Sequence, residues 1–258
     1  YFSVKPSWQG KGLGQLLTKK LEDYYRSSIT KKTVFYAYID KKNLRSMKVS
    51  EKFDQELLGQ FKSVLFSRFR PNFASGFTKI SPVEFETFCN EHYKKYALFY
   101  RNMLGYKGQC YGIRENGHLV AAIQANPTHW KIHHIPGFLG WLGRNVIHYI
   151  PLLGRLSPRH QLNFVGFEGL RTRDGHQHLI RPLLESCLAE HKMNVGMLYY
   201  DIEDPIFKYL SEMKGMGLMR KLQDPPPVSF LANFLNFEDG ESENFKKNHK
   251  YLSSFDLS

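Results

Sequence analysis

From Leu13 onward, apolar residues recur at three- and four-residue steps: Leu13, Leu16, Leu17, Leu21, Tyr24 and Tyr25. That spacing lays them on one face of a helix. Ahead of it, residues 1–4 read as the end of a strand, and Lys5 to Gly14 form a turn rich in proline and glycine. The run TVFYAYID at 33–40 is β-branched and aromatic throughout and predicts a buried strand. Asn43 to Phe53 predicts a short helix, and Leu57 to Phe69 one or two further strands. Strand, glycine-rich turn, helix, strand, helix is the order of an α/β fold, of the α+β mixed-sheet kind.

RPNFASG at 70–76 has turn composition and marks a domain boundary. Beyond it a short strand leads to Ser81 as N-cap, Pro82 at the first helical position and Glu84 in the first turn, predicting a helix through about Asn102. Asn116-Gly117 between two apolar runs predicts a β-hairpin. An apolar segment follows at 135–156, then a strand at NFVGFEGL, a helix from about Leu179 to His191, a strand at VGMLYYDI, a short helix from Asp204 and a final strand. Residues from Asp239 are polar and charged and are expected to fray. The chain therefore divides into a first domain over 1–72, a second over 77–238 and a tail over 239–258.

The two domains resemble each other. Laying Leu16-Leu17 on Leu183-Leu184 superposes strand-turn-helix 1–26 on 168–193 without a gap; after a shortened loop Asp40 meets Asp201, and Asn43 meets Asp204. Shared layer rules generate such likeness too, so the repeat supports a tandem arrangement without proving it.

The chemistry concentrates in VKPSWQGKGLG, residues 4–14. Gly10, Gly12 and Gly14 free the backbone to approach a ligand closely. A helix then starts at once and aims its unpaired N–H groups and positive dipole end into the same turn, beside Lys5 and Lys11. That arrangement suits a phosphate. The segment resembles the signature of the GNAT acyltransferases, Q/R-x-x-G-x-G/A, met by Gln9, Gly12 and Gly14 and preceded by Val4-x-Pro6. Asn43 and Ser46 resemble the family's next motif. The resemblance implies a GNAT-like acyl-CoA N-acyltransferase fold in two tandem domains, the first lacking its N-terminal strands because the chain begins inside the motif. It implies acetyl-CoA, or another acyl-CoA, as co-substrate. The pyrophosphate would lie on the backbone of Gln9, Gly10, Lys11, Gly12, Leu13 and Gly14, and the pantetheine arm along the splayed strand at Val4, with Asn43 and Ser46 nearby. The acyl group would pass to the amine of a small molecule or peptide.

Two departures qualify that implication. Many members carry a Tyr seven residues after the motif Asn, whose phenol protonates the departing thiolate; Ser50 stands there, and a serine hydroxyl is a poorly matched acid near neutral pH. Tyr36 and Tyr38 are substitutes, though alternate residues of a buried strand ordinarily serve packing. In the second domain Gln177, Leu179 and Arg181 replace the three glycines, leaving Arg171, Arg173, His176 and His178 as side-chain alternatives for phosphate. A catalytically inactive binding or scaffold module is therefore the rival reading.

Composition narrows the partners. The 258 residues carry a formal net charge of +12, which fits an anionic ligand, but no nucleic-acid-reading motif accompanies it. Cys89, Cys110 and Cys187 lie far apart without CxxC pairing, which argues against a disulfide framework or zinc ribbon and fits a reducing cytoplasm. The segment 135–156 is too apolar for a solvated loop and too interrupted, by Arg144, Asn145 and His148, for a membrane span. It is expected to pack as a covering element, with peripheral membrane contact as its other use.

Overall fold

The computed structural model describes residues 4–99, 104–131, 149, 153–156, 161–222, 225–238, 240–251 and 253. In chain order the helices are α1 (Leu13–Ser28), α2 (Leu44–Glu51), α3 (Pro82–Tyr93), α4 (Leu153–Leu156), α5 (Ile180–Glu190), α6 (Pro205–Glu212), α7 (Leu218–Leu222) and α8 (Glu241–Lys247). The strands are β1 (Thr33–Asp40), β2 (Glu56–Ser67), β3 (Phe77–Lys79), β4 (Leu98–Phe99), β5 (Cys110–Glu115), β6 (His118–Lys131), β7 (Gln161–Thr172), β8 (Val195–Asp201), β9 (Val228–Leu235) and β10 (Lys250–Tyr251). The fold class is the mixed α/β one that the pattern predicts.

The chain forms two compact units, one of residues 1–62 with 226–249, the other of 63–225 with 250–258. This partition differs from a cut at 70–76. Strand β9, distant in sequence, lies between β1 and the first part of β2, antiparallel to both. Its register on β1 runs from Thr33↔Leu235 to Asp40↔Val228; on β2 it runs from Glu56↔Ala232 to Phe61↔Val228, with a bulge at Leu57/Gly59. A strand hydrogen-bonded on both edges and covered on its faces must be apolar, and Phe230 and Ala232 are fully buried. Phe230 meets Phe61, Tyr36 and Tyr38 with ring centroids 5.5, 5.4 and 5.6 Å away. On the opposite face Tyr25 of α1 packs against Phe35 at 5.4 Å. Leu16, Leu17, Leu21 and Tyr24 of α1 are exposed, so the apolar stripe of the sequence is not the surface that meets this sheet.

In the second unit the last residues of β2 are followed across the sheet by β8, β7, β6, β5 and β3. Helix α5 buries Leu183, Leu184, Cys187 and Leu188 with Val64, Phe66, Ile123 and Val165. Helix α3 buries Phe85, Phe88, Cys89 and Tyr93 with Ala122 and Tyr251. The Asn116-Gly117 hairpin is formed, with both residues in the left-handed region that its turn requires.

Two local expectations change, and the choice between one and two strands after Leu57 is decided. Helix α3 stops at Tyr93, where Lys94 caps it, and does not reach Asn102; the side chains of Tyr93 and Tyr96 turn into the core instead. Residues 56–67 make one long strand. The polar tail does not fray through its described part: α8 packs Phe245 on Phe234 at 5.3 Å, and Lys250, Tyr251 and Ser253 are buried. Most of 135–156, including Arg144, Asn145 and His148, lies outside the described residues. Among the described residues no helix is long and apolar enough to cross a membrane.

Truncating the central aromatic of β9 tests the partition. Phe230→Ala should destabilise the protein by about 3–5 kcal/mol, whereas Leu44→Ala on the exposed side of α2 should stay within about 0.5 kcal/mol. Urea unfolding followed by tryptophan fluorescence and circular dichroism measures both; equal, small effects would contradict the central position of β9.

Candidate acyl-CoA site

The turn between Val4 and α1 is built mostly by its own backbone. Trp8 N–H donates to Lys5 O at 2.8 Å and Gln9 N–H to Pro6 O at 3.2 Å, closing one tight turn from Pro6 to Trp8. Gly10 (φ +79°) and Gly12 (φ +75°) then take left-handed conformations that a side chain disfavours. Gly14 is already inside the helix and needs no such freedom. A Cβ on Gly10 or Gly12 would meet no atom within 4 Å, so the bare backbone there faces open space. The first helical hydrogen bond, Leu16 N–H to Gly12 O at 3.0 Å, leaves the amides of Leu13, Gly14 and Gln15 ahead of it. Beside the turn an open depression is lined by Val4, Lys5, Trp8, Leu13 and Leu17.

Two residues that sequence reasoning passed over, Arg45 and Trp8, help to hold the turn. Gln9 donates through Nε2 to Val4 O at 2.9 Å and accepts from Arg45 Nη1 at 3.2 Å, tying strand end, turn and α2 together. Lys11 Nζ stands 4.7 Å over the ring of Trp8, a cation–π contact at the rim. The alternation of Trp8 and Lys11 was a usable signal; the reach of Arg45 needed coordinates.

Asn43 and Ser46 are brought close to each other, but as a helix cap: Asn43 Oδ1 accepts from Ser46 N–H at 3.1 Å. Ser50 is 4% exposed and its Oγ has no hydrogen-bond partner among the described residues. Tyr36 and Tyr38 share one face of β1, in the aromatic cluster with Phe61 and Phe230.

The second unit repeats the local plan with different chemistry. Asp40 N-terminal to α2 and Asp201 N-terminal to α6 each accept a backbone N–H two residues on, from Lys42 at 2.8 Å and from Glu203 at 3.1 Å. Asp204 caps α6 as Asn43 caps α2, accepting from Ile206 N–H at 2.7 Å. The glycine turn is not reproduced. Only Gly175 there has positive φ, and the amides of His176 and Leu179 are consumed by Arg173 O and His176 O at 3.1 and 2.9 Å. Three of the four side chains proposed as phosphate ligands have partners within the protein, while His178 is exposed. Arg171 lies over Phe88 with Glu91 at 3.9 Å, Arg173 Nε donates to Leu119 O at 2.9 Å, and His176 faces Glu115 at 3.4 Å. Among the described residues no cluster of His, Cys, Asp and Glu could hold a metal.

Cysteine is an unsuitable nucleophile here. Cys89, Cys110 and Cys187 are free and fully buried, and burial pushes each thiol up, Cys110 to about 11.

Residues 1–54, which contain this turn, match the acetyltransferase (GNAT) family. A GCN5-related N-acetyltransferase from Sphaerobacter thermophilus is similar in structure, at a TM-score of 0.51 and 11% identity over 90% of this chain and 70% of that one. One from Anabaena variabilis gives 0.48 and 10%, over 89% of this chain and 52% of that chain. Saccharomyces cerevisiae N-myristoyltransferase with bound myristoyl-CoA gives 0.46 and 10%, over 96% and 66%. No curated protein matches. Residues 1–54 thus match the GNAT family, and the chain as a whole has a GNAT-like acyltransferase fold.

In the folded protein none of the three thiols should react with Ellman's reagent at pH 8 within minutes, and all three should react once guanidinium is added. A rapid equivalent in the native state would place one of them at the surface.

Proposed function

We propose that the chain is an acyltransferase that takes acetyl-CoA, or a longer acyl-CoA, at Gln9–Gly14 and transfers the acyl group to an amine. The observation that carries this is the turn itself: two glycines in left-handed conformation, open space where their side chains would stand, and helix amides beyond them. Such a cradle fits a pyrophosphate whose oxygens accept from the N–H groups of Gly12, Leu13 and Gly14, with Lys11 adding charge. The depression at Val4, Trp8 and Leu17 suits the less polar arm that follows. Because Gln9 Nε2 already occupies the carbonyl of Val4, the arm would pair with other groups of this strand or displace that amide.

In this reading the amine attacks the thioester carbonyl, the C–S bond breaks, the amine proton leaves to solvent or a nearby base, and CoA departs as a thiolate that is then protonated. Positioning supplies most of the rate. Ser50, buried and without a hydrogen-bond partner, is the weak candidate for proton donor that its place in the motif suggests; Tyr36 and Tyr38 are the others, on the neighbouring strand. The turn in residues 1–72 and the second GNAT-like region at 77–238 make this a tandem protein with one intact CoA turn. The three buried, free cysteines support a reducing, cytoplasmic setting.

The second reading is a GNAT-like binding or scaffold module. It is favoured by Ser50 standing where an acidic phenol serves other members, and by the consumed amides of the second turn.

Gly12→Val should weaken acetyl-CoA binding at least about tenfold in calorimetry with circular dichroism unchanged, because the branched side chain opposes φ +75° and projects toward the ligand. Unchanged affinity would remove the site from this turn. Ser50→Ala should leave turnover within a few-fold, since a matched general acid contributes roughly a hundredfold or more; a large fall in kcat at constant acetyl-CoA affinity would give Ser50 the donor's role.

A further inference from the structure

Strands β7 and β8 run parallel and are in register at Val165↔Gly196 and Gly166↔Met197. Both continue past that point, to Thr172 and Asp201, without further matched pairs. The cause is local. Between Ala122↔Arg171 and Gln124↔Glu168 the β6–β7 register shifts, giving β7 one extra residue, and Gly169 in that stretch takes φ +58°. A bulge of this kind bends the strand that carries it. The two strands splay into a wedge whose backbone groups need other partners.

They find them inside the unit. Leu170 O accepts from Tyr93 Oη at 2.6 Å and Gly169 O from Cys89 Sγ at 3.5 Å. Glu168, only 4% exposed, accepts from Tyr251 Oη at 2.6 Å on one oxygen and from Ser253 Oγ at 3.0 Å on the other. Toward β8, Lys250 is only 5% exposed; burial holds its ammonium below the usual lysine range, and the charge of Asp201 partly offsets that. The ring of Tyr251 packs against Tyr93 at 4.8 Å and Phe99 at 5.4 Å, while β10 pairs in parallel with β4. One short segment thus bonds Glu168 on one splayed strand and lies against β8, the other.

We propose that Lys250, Tyr251 and Ser253 are built-in occupants of this wedge, a strap that closes the second splayed-strand site against an acyl-CoA arm. The inference rests on the acyl-CoA reading above, in which the arm enters beside a splayed strand. A thioester arm entering here would have to displace two hydroxyl donors from a buried carboxylate, and an unpaired buried carboxylate is costly. It would also find no glycine turn for its pyrophosphate. The second unit then contributes its fold and its packing, and the chain holds one acyl-CoA.

Hydrogen exchange by mass spectrometry on the full chain tests this. With acetyl-CoA added, peptides covering 167–171 and 250–253 should exchange unchanged, because the strap stays in place. In the absence of ligand, Tyr251→Ala/Ser253→Ala should speed exchange across 167–171 and 198–201 at least about tenfold, the loss expected from two hydrogen bonds on a buried group. Tyr251→Phe/Ser253→Ala, which keeps the ring, should show the same direction with the fold secured. Protection of 167–171 by acetyl-CoA, release of 250–253 by it, or unchanged exchange in both variants would overturn the strap. Absence of protection at 9–15 defeats the acyl-CoA reading on its own, and the ligand-free exchange of the variants still decides whether the strap is there.

Discussion

The antiparallel pairing of β9 with β1 and with the first part of β2 is the constraint on which the first unit depends. The described residues of 1–62 contain two strands that do not pair with each other; they hydrogen-bond to opposite edges of Val228–Leu235. Without that strand the backbone of β1 would face water on both edges, and Tyr36, Tyr38 and Phe61 would lose Phe230 as their common neighbour. Neighbouring links serve the same closure: Asn233 Nδ2 to Phe53 O at 2.8 Å, Asn236 Nδ2 to Ile29 O at 2.9 Å, and Lys32 to Glu241. Helix α1, and so the glycine turn at its start, stands on a platform completed by the far end of the chain.

On that platform the turn itself asks little of the rest of the protein. Its conformation follows from two glycines, one tight turn after Lys5 and the start of a helix, all within a dozen residues. What the platform adds is orientation: Gln9 reaches both Val4 and Arg45, so the turn is fixed to strand end and to α2 together. The interior beneath is aromatic and sparsely polar, which leaves Ser50 Oγ buried without a partner among the described residues. An unpartnered buried hydroxyl is unfavourable unless something uses it, and that makes Ser50 the most informative polar atom in the first unit.

The two units keep one local design and spend it differently. Strand, Asp, capped helix recurs as Asp40-Asn43 and as Asp201-Asp204: each Asp accepts from the amide two residues on, while the cap bond reaches three residues on at Asn43 and two at Asp204. Where the first unit keeps bare backbone at Gly10 and Gly12, the second has arginines laid over Phe88 and amides already bonded. A bulge at Gly169 lies where β7 and β8 cease to be matched, and the hydroxyls of Tyr251 and Ser253 bond Glu168 there.

The sequence by itself determined what depends on neighbours along the chain. The glycine turn at 10–14, the helix after it, the strand at 33–40, the cap at Asn43, the Ser81-Pro82 helix start and the Asn116-Gly117 hairpin are all short-range, set by backbone freedom and spacing. The GNAT resemblance rested on those same residues. Tertiary structure alone decided which strand meets which. Val228–Leu235 reads as an apolar strand in the sequence, but pairing carries no local mark, so its place beside β1 and β2 could not be read. The apolar stripe of α1 has helical spacing, yet the sheet is met by Thr18, Glu22 and Tyr25, because spacing defines a face without naming its partner. For the same reason a polar tail expected to fray supplies the buried Tyr251 and Ser253: two hydroxyls look solvated in sequence and become interior only when a buried carboxylate, brought from Glu168 by the fold, accepts them both.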